Sequence, residues 1–379
     1  MNIVSQVARA PERPRLDIDL GALLKNWTAI GSAYCSGRVG AVLKNDAYGM
    51  GLEHIAPVLA AAGCREFWVA TFDEGIALRR CLGPTTSELR IFLLHGLAGH
   101  SLTEHLAHGL TPVLCSFDEL KLARAEAAVN GPCRVAIQLD TGISRLGLNE
   151  SQVMALAAAQ STDNSNSGFG ALTIDTWITQ LGHLNDPDAP ECQRQRKLFA
   201  DWTARLPNAA RSITTSSTVF CGASWHFDCA RVGSALYGVE NVPTRVQGLT
   251  PVATLRAQVL RVIEVSADTE VGYSGSYRTA KATTLATLAI GYADGLPLAM
   301  GNRGQVMLAG KLVPVVGEIS MGLCSVDISS IVPHCLRAGD WAEIYGAQIP
   351  LHVQAARIGI NPNALLVPTA QRAHRIYKE

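Results

Sequence analysis

Lys44 stands at the end of a short apolar run, in a position where a side chain can do chemistry. Residues 39–43 read as a buried strand, Lys44 follows where the apolar pattern stops, and a polar turn with Gly49 and Gly51 leads into a helical pattern starting near Leu52. A lysine in such a position is most often a solvated charge. Its amine, however, forms Schiff bases with carbonyl compounds, and pyridoxal phosphate is anchored on a lysine of this kind. Lys44 is therefore a candidate cofactor lysine.

The residues after Lys44 support this interpretation. Tyr48 follows four positions later and is able to reach a phosphate oxygen, while the two glycines let the backbone approach a ligand closely. The stretch 41–51, AVLKNDAYGMG, resembles the cofactor-lysine motif of the alanine racemase family. The resemblance implies a pyridoxal-phosphate-dependent enzyme in which Lys44 and Tyr48 contact the cofactor.

A second segment, RVGSALYG from residue 231, resembles the family segment whose arginine faces the pyridine nitrogen of the cofactor. A fixed cation such as Arg231 disfavours protonation of that nitrogen, so the ring becomes a weaker electron sink and transamination is suppressed. The resemblance further implies that Gly233 and Ser234 present backbone N–H groups to the phosphate. Ser216, in the pair Thr215-Ser216 where the family usually has Asn-Ser, is expected to assist them.

A third segment, DTGISRLG from residue 140, resembles the family segment whose arginine contacts the substrate carboxylate and the phenolic oxygen of the cofactor. Arg145 suits both anionic oxygens. Two positions before Asp140, Gln138 stands where the family commonly has a carbamylated lysine that holds the arginine. Gln138 is able to accept one hydrogen bond from Arg145 but adds no charge, so we expect Arg145 to be more available to anions and less rigidly held.

The second half of the chain supplies a candidate second base. Tyr273, in EVGYSGSY, would by itself more often be an ordinary surface or core tyrosine of a turn. Two further family matches follow it in order, around Tyr292 and Met321. Racemisation needs two bases on opposite faces of one planar carbanion. The resemblance implies that Lys44 and Tyr273 are these bases, that Tyr273 comes from the partner subunit of a homodimer with shared active sites, and that Tyr292 and Met321 line the substrate entrance.

Other positions depart from the family pattern. Gln180 replaces a histidine that bonds the pyridine-facing arginine, Gly322 replaces an aspartate near the substrate, and residues 360–364 lack a tyrosine that contacts the phosphate. The proposed bases are unaffected. The expected function is therefore racemisation of L- and D-alanine, with a role in D-alanine biosynthesis, and the alternative is a racemase of broader or different amino-acid specificity.

These residues need a fold that brings strand ends together, and the chain alternates strands with helices in its first two thirds. Strands are predicted at 16–20, 39–43, 67–71, 89–94, 112–115 and 135–139, with helices at 22–30, 53–62, 73–81, 102–108 and 117–128 between them. About eight such units fit before residue 245, and no G-x-G-x-x-G follows the first strand, which favours a TIM-type (β/α)8 barrel over an open dinucleotide-binding sheet. Lys44 then lies at the carboxyl end of a barrel strand, where such barrels carry their chemistry.

The predicted fold class is α/β, with the barrel at 14–245 followed by a smaller, mostly β domain at 246–379. The second domain is predicted from strand-like runs at 252–265, 284–290, 305–308 and 313–316, separated by glycine turns. Residues 161–170, rich in Ser, Asn and Gly, are predicted to form an extended loop. A length of 379 residues fits two domains.

Composition excludes several classes. The 32 basic residues equal the 32 acidic ones, so neither a nucleic acid nor an anionic membrane is an expected partner. The ten cysteines include no C-x-x-C pair, and neither a signal peptide nor a membrane-spanning run is recognisable, which predicts a cytoplasmic protein.

The same residues bear on three other functions. A decarboxylase on a similar barrel would want a glycine-rich phosphate loop, and none is found. A protein that stores the cofactor without turnover would not need the chain after residue 250 with its Tyr273. A metal-assisted aldolase would need a histidine with a second ligand, for which His334 and Cys335 are the candidates. The pair His105 and His108 is predicted to lie on a solvated helix face.

Overall fold

The computed structural model describes residues 13–34, 37–83, 88–161, 168–184, 186–240, 242, 248–332 and 335–379. These residues form two compact units. The barrel unit comprises Leu23–Ala47 and Gly51–Leu249, and the β unit comprises the described residues up to Ala22, Tyr48–Met50 and Thr250–Glu379. The boundary expected near residue 245, most of the predicted loop at 161–170, and His334 lie outside the described residues.

The strands are, in chain order, β1 (Arg15–Asp19), β2 (Arg38–Val42), β3 (Glu66–Val69), β4 (Arg90–Leu93), β5 (Leu110–Leu114), β6 (Cys133–Gln138), β7 (Leu172–Ile178), β8 (Ala210–Ser212), β9 (Thr214–Thr215), β10 (Cys229–Val232), β11 (Ala253–Val265), β12 (Glu270–Val271), β13 (Tyr277–Arg278), β14 (Thr283–Leu288), β15 (Gln305–Leu308), β16 (Lys311–Val316), β17 (Cys324–Asp327), β18 (Trp341–Tyr345) and β19 (His374–Lys378). The helices are α1 (Leu20–Ala33), α2 (Leu52–Ala61), α3 (Phe72–Leu82), α4 (Leu102–Ala107), α5 (Phe117–Asn130), α6 (Glu150–Ser161), α7 (Pro190–Thr203), α8 (Leu351–Ile358) and α9 (Pro362–Arg372).

A parallel sheet forms the centre of the barrel unit. Its strand order is β8-β7-β6-β5-β4-β3-β2-β10-β9, and every neighbouring pair is parallel. Only Ile213 separates β8 from β9, so the two ends of this order meet and the sheet closes on itself. With β8 and β9 counted as halves of one strand, the described residues form the predicted (β/α)8 barrel.

The first predicted strand does not belong to this barrel, and in this respect the prediction was wrong. β1 pairs antiparallel with β11 and parallel with β19, inside the sheet of the β unit. Its alternating pattern correctly indicated a strand. Leu16 and Ile18 are buried there, and Asp17 forms ion pairs with Arg256 and Lys378 of the neighbouring strands. A period of two fixes which faces are apolar but does not say which sheet buries them.

The β unit is built on a mostly antiparallel sheet of order β14-β17-β16-β15-β18-β11-β1-β19, in which β14 also pairs with β11. The strands from β14 round to β11 therefore close a ring, and β1 and β19 extend it. A short hairpin of β12 and β13 stands apart from this sheet. The four strand-like runs predicted for this domain correspond to β11, β14, β15 and β16.

Candidate active site

Lys44 lies two residues after the end of β2, at the carboxyl end of the barrel strands. The preceding Leu43 is fully buried, and its N–H donates to the carbonyl of Trp68 on β3 at 2.8 Å. Lys44 itself is half-buried. Burial, and next the positive charge of Arg145, lower the pKa of the Lys44 amine, and the carboxylate of Glu74 partly opposes them. The site thus favours the neutral amine, which is the form that acts as a nucleophile or base.

The chain leaves Lys44 in an unusual backbone conformation. The range Asn45–Tyr48 has φ values of 55°, 55°, 54° and 60°, all in the left-handed helical region, although none of these residues is glycine. The N–H of Ala47 donates to the carbonyl of Leu43 at 2.9 Å, and the N–H of Leu52 donates to the carboxylate of Asp46 at 2.7 Å. The sequence predicted a polar turn here but not its handedness.

Tyr48 lies at the end of this left-handed turn, and burial raises its pKa to about 12. The phenol therefore keeps its proton at neutral pH and can donate to an anionic oxygen. The next residue, Gly49, has a φ of 82°, and a Cβ there would lie 2.7 Å from the Cβ of Ala370 on α9. Among the described residues, the close approach that this glycine permits is thus to a helix of the β unit, and its approach to a ligand stays a prediction.

A cradle of polar groups joins the ends of β9 and β10. The Ser216 hydroxyl oxygen accepts the backbone N–H of Gly233 at 2.9 Å and that of Ala235 at 3.2 Å. Since both bonds use the oxygen's lone pairs, the hydroxyl proton of Ser216 remains available to an acceptor. The buried Ser234 begins a short 3₁₀ turn, Ser234–Tyr237, directly after Gly233. The structure therefore brings the predicted phosphate residues together.

Thr215 adds an unused polar atom beside this cradle. Its backbone is paired with Arg231 across β9 and β10, so the two side chains leave the sheet on the same face. The Thr215 hydroxyl is buried and has no hydrogen-bond partner among the described residues. A buried hydroxyl without a partner costs free energy unless a ligand or solvent supplies one.

Arg231 is buried and held by main-chain oxygens. One guanidinium nitrogen donates to the carbonyl of Ser212 at 2.8 Å and also bonds its hydroxyl, and the other donates to the carbonyl of Thr179 at 2.7 Å. Burial lowers the pKa of Arg231 to about 10, so the group remains a cation at neutral pH. Among the described residues, Arg231 is held by the carbonyl of Thr179 and not by the side chain of Gln180.

Arg145 projects from a loop that is fixed by its own backbone. One carboxylate oxygen of Asp140 accepts the N–H groups of the next residues, at 3.0 Å from residues 142 and 143 and at 3.1 Å from residue 144. The side-chain amide of Gln138 donates to the carbonyl of Leu146 at 2.9 Å. Gln138 therefore holds the loop and does not accept a bond from Arg145, whose exposed guanidinium has no hydrogen bond or ion pair within the described part of the chain.

Gln195 of α7 is a residue that the sequence analysis missed. Its side-chain oxygen accepts the N–H of Gly182 at 2.9 Å, and its side-chain nitrogen donates to the carbonyl of Gln180 at 3.0 Å and to the hydroxyl of Thr141 at 3.3 Å. The hydroxyls of Thr141 and Thr179 lie 2.8 Å apart. This buried network connects the loop of Arg145 to the backbone that holds Arg231.

The remaining predicted residues lie on the β unit and are exposed. Tyr273 is 67% exposed, in the turn of the β12–β13 hairpin, while Met321 is 63% and Tyr292 46% exposed. The N–H of Ala293 donates to the carbonyl of Met321 at 2.8 Å, which joins the loops of Tyr292 and Met321. A Cβ added to Gly322 would meet nothing within 4 Å.

His105 of α4 is part of the core. His105 is fully buried and packs edge-on against Phe72 with ring centroids 5.0 Å apart, so the prediction that it lies on a solvated face was wrong. Among the described residues, no group of three or more His, Cys, Asp or Glu is placed to hold a metal ion. No helix of the described chain has the length and hydropathy needed to cross a membrane.

Comparison with known proteins gives the same family over both units. The family model of the alanine racemase N-terminal domain matches residues 18–241, and that of the C-terminal domain matches residues 252–377. The alanine racemase of Acidiphilium cryptum is 36% identical over 368 residues, 96% of this chain and 99% of that protein. The alanine racemase of Rhodospirillum rubrum is 34% identical over 368 residues, 96% of this chain and 95% of that protein.

A solved structure shows the likeness in three dimensions. The alanine racemase from Bartonella henselae, described with covalently bound pyridoxal phosphate, superposes with a TM-score of 0.89 at 31% identity, over 97% of this chain and 100% of that one.

Proposed function

This chain belongs to the alanine racemase family, and from that premise we propose which of its residues carry the reaction. The activity is the pyridoxal-phosphate-dependent interconversion of L- and D-alanine. The observation that carries the assignment of residues is that Lys44 follows β2 and Arg231 lies on β10, the strand that pairs with β2. An amine of lowered pKa thus lies at the same end of the barrel as a fixed cation and the Ser216 cradle.

The residues at this end fit pyridoxal phosphate. Lys44 is the point of covalent attachment, and Tyr48, the Ser216 hydroxyl and Ser234 supply donors for the phosphate. The Gly233 N–H, which was predicted to be a further donor, is taken by the Ser216 hydroxyl oxygen instead. The unpaired hydroxyl of Thr215 supports this assignment, because an added phosphate oxygen would satisfy it. When bound, the cofactor supplies the electron sink that stabilises negative charge at the substrate α-carbon.

Two arginines have different electrostatic roles in the site. Arg145 pairs with the substrate carboxylate. Its positive charge also lowers the pKa of the Lys44 amine and so favours the neutral form. Arg231 faces the pyridine nitrogen and opposes proton binding there, because two positive charges at short range repel. This repulsion limits how far electrons are withdrawn from the substrate, so the α-carbon takes back a proton instead of losing its amino group.

The two bases act on opposite faces of the α-carbon. Lys44 removes the proton of D-alanine and Tyr273 removes the proton of L-alanine, and each returns a proton when the other has removed one. We assign Tyr273 to the partner subunit of a homodimer, so that the β unit of one subunit completes the barrel site of the other. The exposure of Tyr273, Tyr292 and Met321 supports this assignment, because large apolar side chains left exposed on one subunit are often covered by a partner.

The activity is tested by incubating the purified enzyme with L- or D-alanine in D2O, and then with other L-amino acids. We expect an absorbance band at about 420 nm, deuterium at the α-carbon, and approach to an equal mixture of D- and L-alanine. Borohydride reduction followed by peptide mass spectrometry should place the cofactor on Lys44. Rapid turnover of another amino acid with alanine slow would move the substrate assignment, and a yellow protein without α-proton exchange would contradict racemisation.

Sharing of the site between subunits is tested by mixing two inactive variants. Lys44→Ala and Tyr273→Phe subunits are unfolded or dissociated together, reassembled, and assayed. If Tyr273 acts across the interface, a mixed dimer contains one site with both bases intact, and about a quarter of the wild-type activity returns in a statistical mixture. If both bases come from one subunit, each mixed site lacks one base and no activity returns.

The cytoplasm is the compartment that we assign. All of the described cysteines are free thiols, and most of them are buried, which suits a reducing compartment. Fractionation of the source cells with an antibody against the chain tests this, and recovery from an extracytoplasmic fraction would contradict it.

A further inference from the structure

Glu74 is a partly buried connection between α3 and the backbone next to Lys44. It is the third residue of α3 and forms a capping box with Thr71, whose hydroxyl accepts the Glu74 N–H at 3.3 Å. One carboxylate oxygen accepts the N–H of Ala70 at 2.6 Å and that of Thr71 at 3.2 Å. The other oxygen accepts the N–H of Asn45 at 2.6 Å. The last of these bonds is not needed to cap the helix.

The same arrangement occurs a second time in the barrel. Glu119, the third residue of α5, accepts the N–H of Cys115 at 2.6 Å with one oxygen and the N–H of Leu97 at 2.8 Å with the other. In each case a helix carboxylate bonds the end of its own strand and the loop that follows the preceding strand. Only at Glu74 does that loop begin with Lys44.

The bond to Asn45 acts on Lys44 through covalent geometry. The Asn45 N–H and the Lys44 carbonyl belong to one rigid peptide plane. Holding the N–H therefore fixes ψ of Lys44 and the direction in which its side chain leaves the backbone. The residues that follow are left-handed, a conformation that costs roughly 1–2 kcal/mol per non-glycine residue, so the turn needs such anchors to persist.

The charge of Glu74 acts on the same residue. It raises the pKa of the Lys44 amine, in opposition to burial and to Arg145, which lower it. One carboxylate thus has both a geometric and an electrostatic connection to Lys44.

We propose that Glu74 is a positioning residue for Lys44, which aims the amine into the site by clamping the Lys44–Asn45 peptide. The proposal rests on the role assigned to Lys44 above. Glu74 itself contacts neither substrate nor cofactor, so its effect is expected in the turnover step and in the order of the left-handed turn, with little effect on substrate binding.

The test compares Glu74→Gln with a matched control. Glutamine has the same shape but places an N–H₂ group against one of the backbone N–H groups and removes the charge. The control is Glu104→Gln, because Glu104 forms the same capping box with Ser101 at the start of α4 and is bonded to no residue assigned to the site. Each variant is purified with cofactor and examined by amide hydrogen exchange and steady-state kinetics.

For Glu74→Gln we expect amide exchange in the peptide covering residues 45–48 to become about tenfold faster, kcat to fall about tenfold, and KM for alanine to stay within about twofold. Glu104→Gln should lower the thermal midpoint without either change. Unchanged exchange at residues 45–48 and unchanged kcat in Glu74→Gln would overturn the proposal. An equal fall of kcat in both variants would overturn it too, since capping alone would then explain the loss.

Failure of the underlying assignment is distinguishable from failure of this proposal. Borohydride reduction of the wild-type enzyme identifies the lysine that carries the cofactor. If that lysine is not Lys44, the assigned function of Lys44 is wrong whatever Glu74→Gln does. If it is Lys44 and Glu74→Gln behaves as wild type, only the positioning role is wrong.

Discussion

The guanidinium of Arg231 lies 5.6 Å from the centre of the Trp68 ring. Its hydrogen-bond partners are a hydroxyl and the carbonyls of Ser212 and Thr179. Ring, hydroxyl and carbonyls are all neutral, so they hold the cation in place without cancelling its charge. A carboxylate partner would have bound Arg231 more tightly but would have weakened the field that it projects into the site.

Replacing this cation should change the products of the reaction. In Arg231→Gln we expect racemisation to fall at least about tenfold and the share of turnovers that end in pyruvate to rise, because the pyridine nitrogen can then be protonated. Pyruvate is measured with a coupled dehydrogenase beside the D/L ratio. The control is Arg211→Gln on β8, whose side chain pairs with Asp228 instead. A slower enzyme that makes no additional pyruvate would contradict this account of Arg231.

The pH dependence of Lys44 follows from Arg145. The cation of Arg145 lowers the pKa of Lys44, so its removal in Arg145→Gln raises that pKa and leaves less neutral amine at a given pH. The pH midpoint for uptake of pyridoxal phosphate by the apoenzyme, followed by absorbance, should therefore move upward. Arg134→Gln, at the start of β6 where Arg134 pairs with Asp175, should leave the midpoint unchanged. A downward shift of the pH midpoint in Arg145→Gln would contradict the prediction that Arg145 lowers the pKa of Lys44.

Gln195 should be a determinant of stability and of the site together. Gln195→Leu leaves the Gly182 N–H, the Gln180 carbonyl and the Thr141 hydroxyl without their common partner, at a cost of about 2–4 kcal/mol in the free energy of unfolding. Urea denaturation measures this loss. Gln193→Leu on the same helix, where the side chain makes a weaker bond to the Pro187 carbonyl, should cost less than about 1 kcal/mol. Equal losses of unfolding free energy in the two variants would mean that the hydrogen bonds of Gln195 contribute no more to stability than the single bond of Gln193.

Gly322 offers space for a side chain. Because a Cβ there meets nothing within 4 Å, Gly322→Asp should fold with a thermal midpoint close to that of the wild type. An aspartate adds bulk and charge beside Met321, so kcat/KM should fall more for larger amino acids than for alanine. In Gly291→Ala, by contrast, the new Cβ would lie 2.2 Å from the Ser320 carbonyl, and the protein should be clearly destabilised. If kcat/KM of Gly322→Asp fell equally for all substrates, position 322 would not determine substrate specificity.

Asp17 should stabilise the β unit. It is buried on β1 and forms ion pairs with Arg15, Arg256 and Lys378. Asp17→Asn removes the charge that these cations share, and we expect a loss of about 1–3 kcal/mol in the free energy of unfolding, because hydrogen bonds to a buried charge are stronger than neutral ones. The exposed pair of Asp118 and Lys121 is the control, with a loss below about 1 kcal/mol in Asp118→Asn. Equal losses of unfolding free energy in Asp17→Asn and Asp118→Asn would contradict the prediction that the buried ion pairs stabilise the protein more than the exposed one.

The parts of the site that could be predicted from the sequence were those formed by short continuous segments. The apolar run before Lys44 and the segments around Arg145 and Arg231 have local patterns, and the structure brings them to one end of the barrel. The left-handed turn was not predictable in this way, since one of the bonds that hold it comes from the carboxylate of Glu74, which lies far along the chain.

Gln195 escaped notice for a different reason. Polar residues on a helix are ordinarily read as its solvent face, yet Cys192, Gln195 and Phe199 share the buried face of α7. A glutamine in the apolar period of a helix is the available signal, and it indicates a buried amide that must bond something. No comparable signal identified the partner strands of β1. An alternation of apolar and polar residues fits an antiparallel neighbour as well as a parallel one, so it does not say which strands pair with β1.

The place of β1 has a consequence for how the chain folds. Its partners β11 and β19 are separated from it along the sequence by the whole barrel. Leu16 and Ile18 are therefore buried only when these distant segments come together. Contacts between such distant parts of a sequence form slowly, so we expect the pairing of β1 to be a late step of folding.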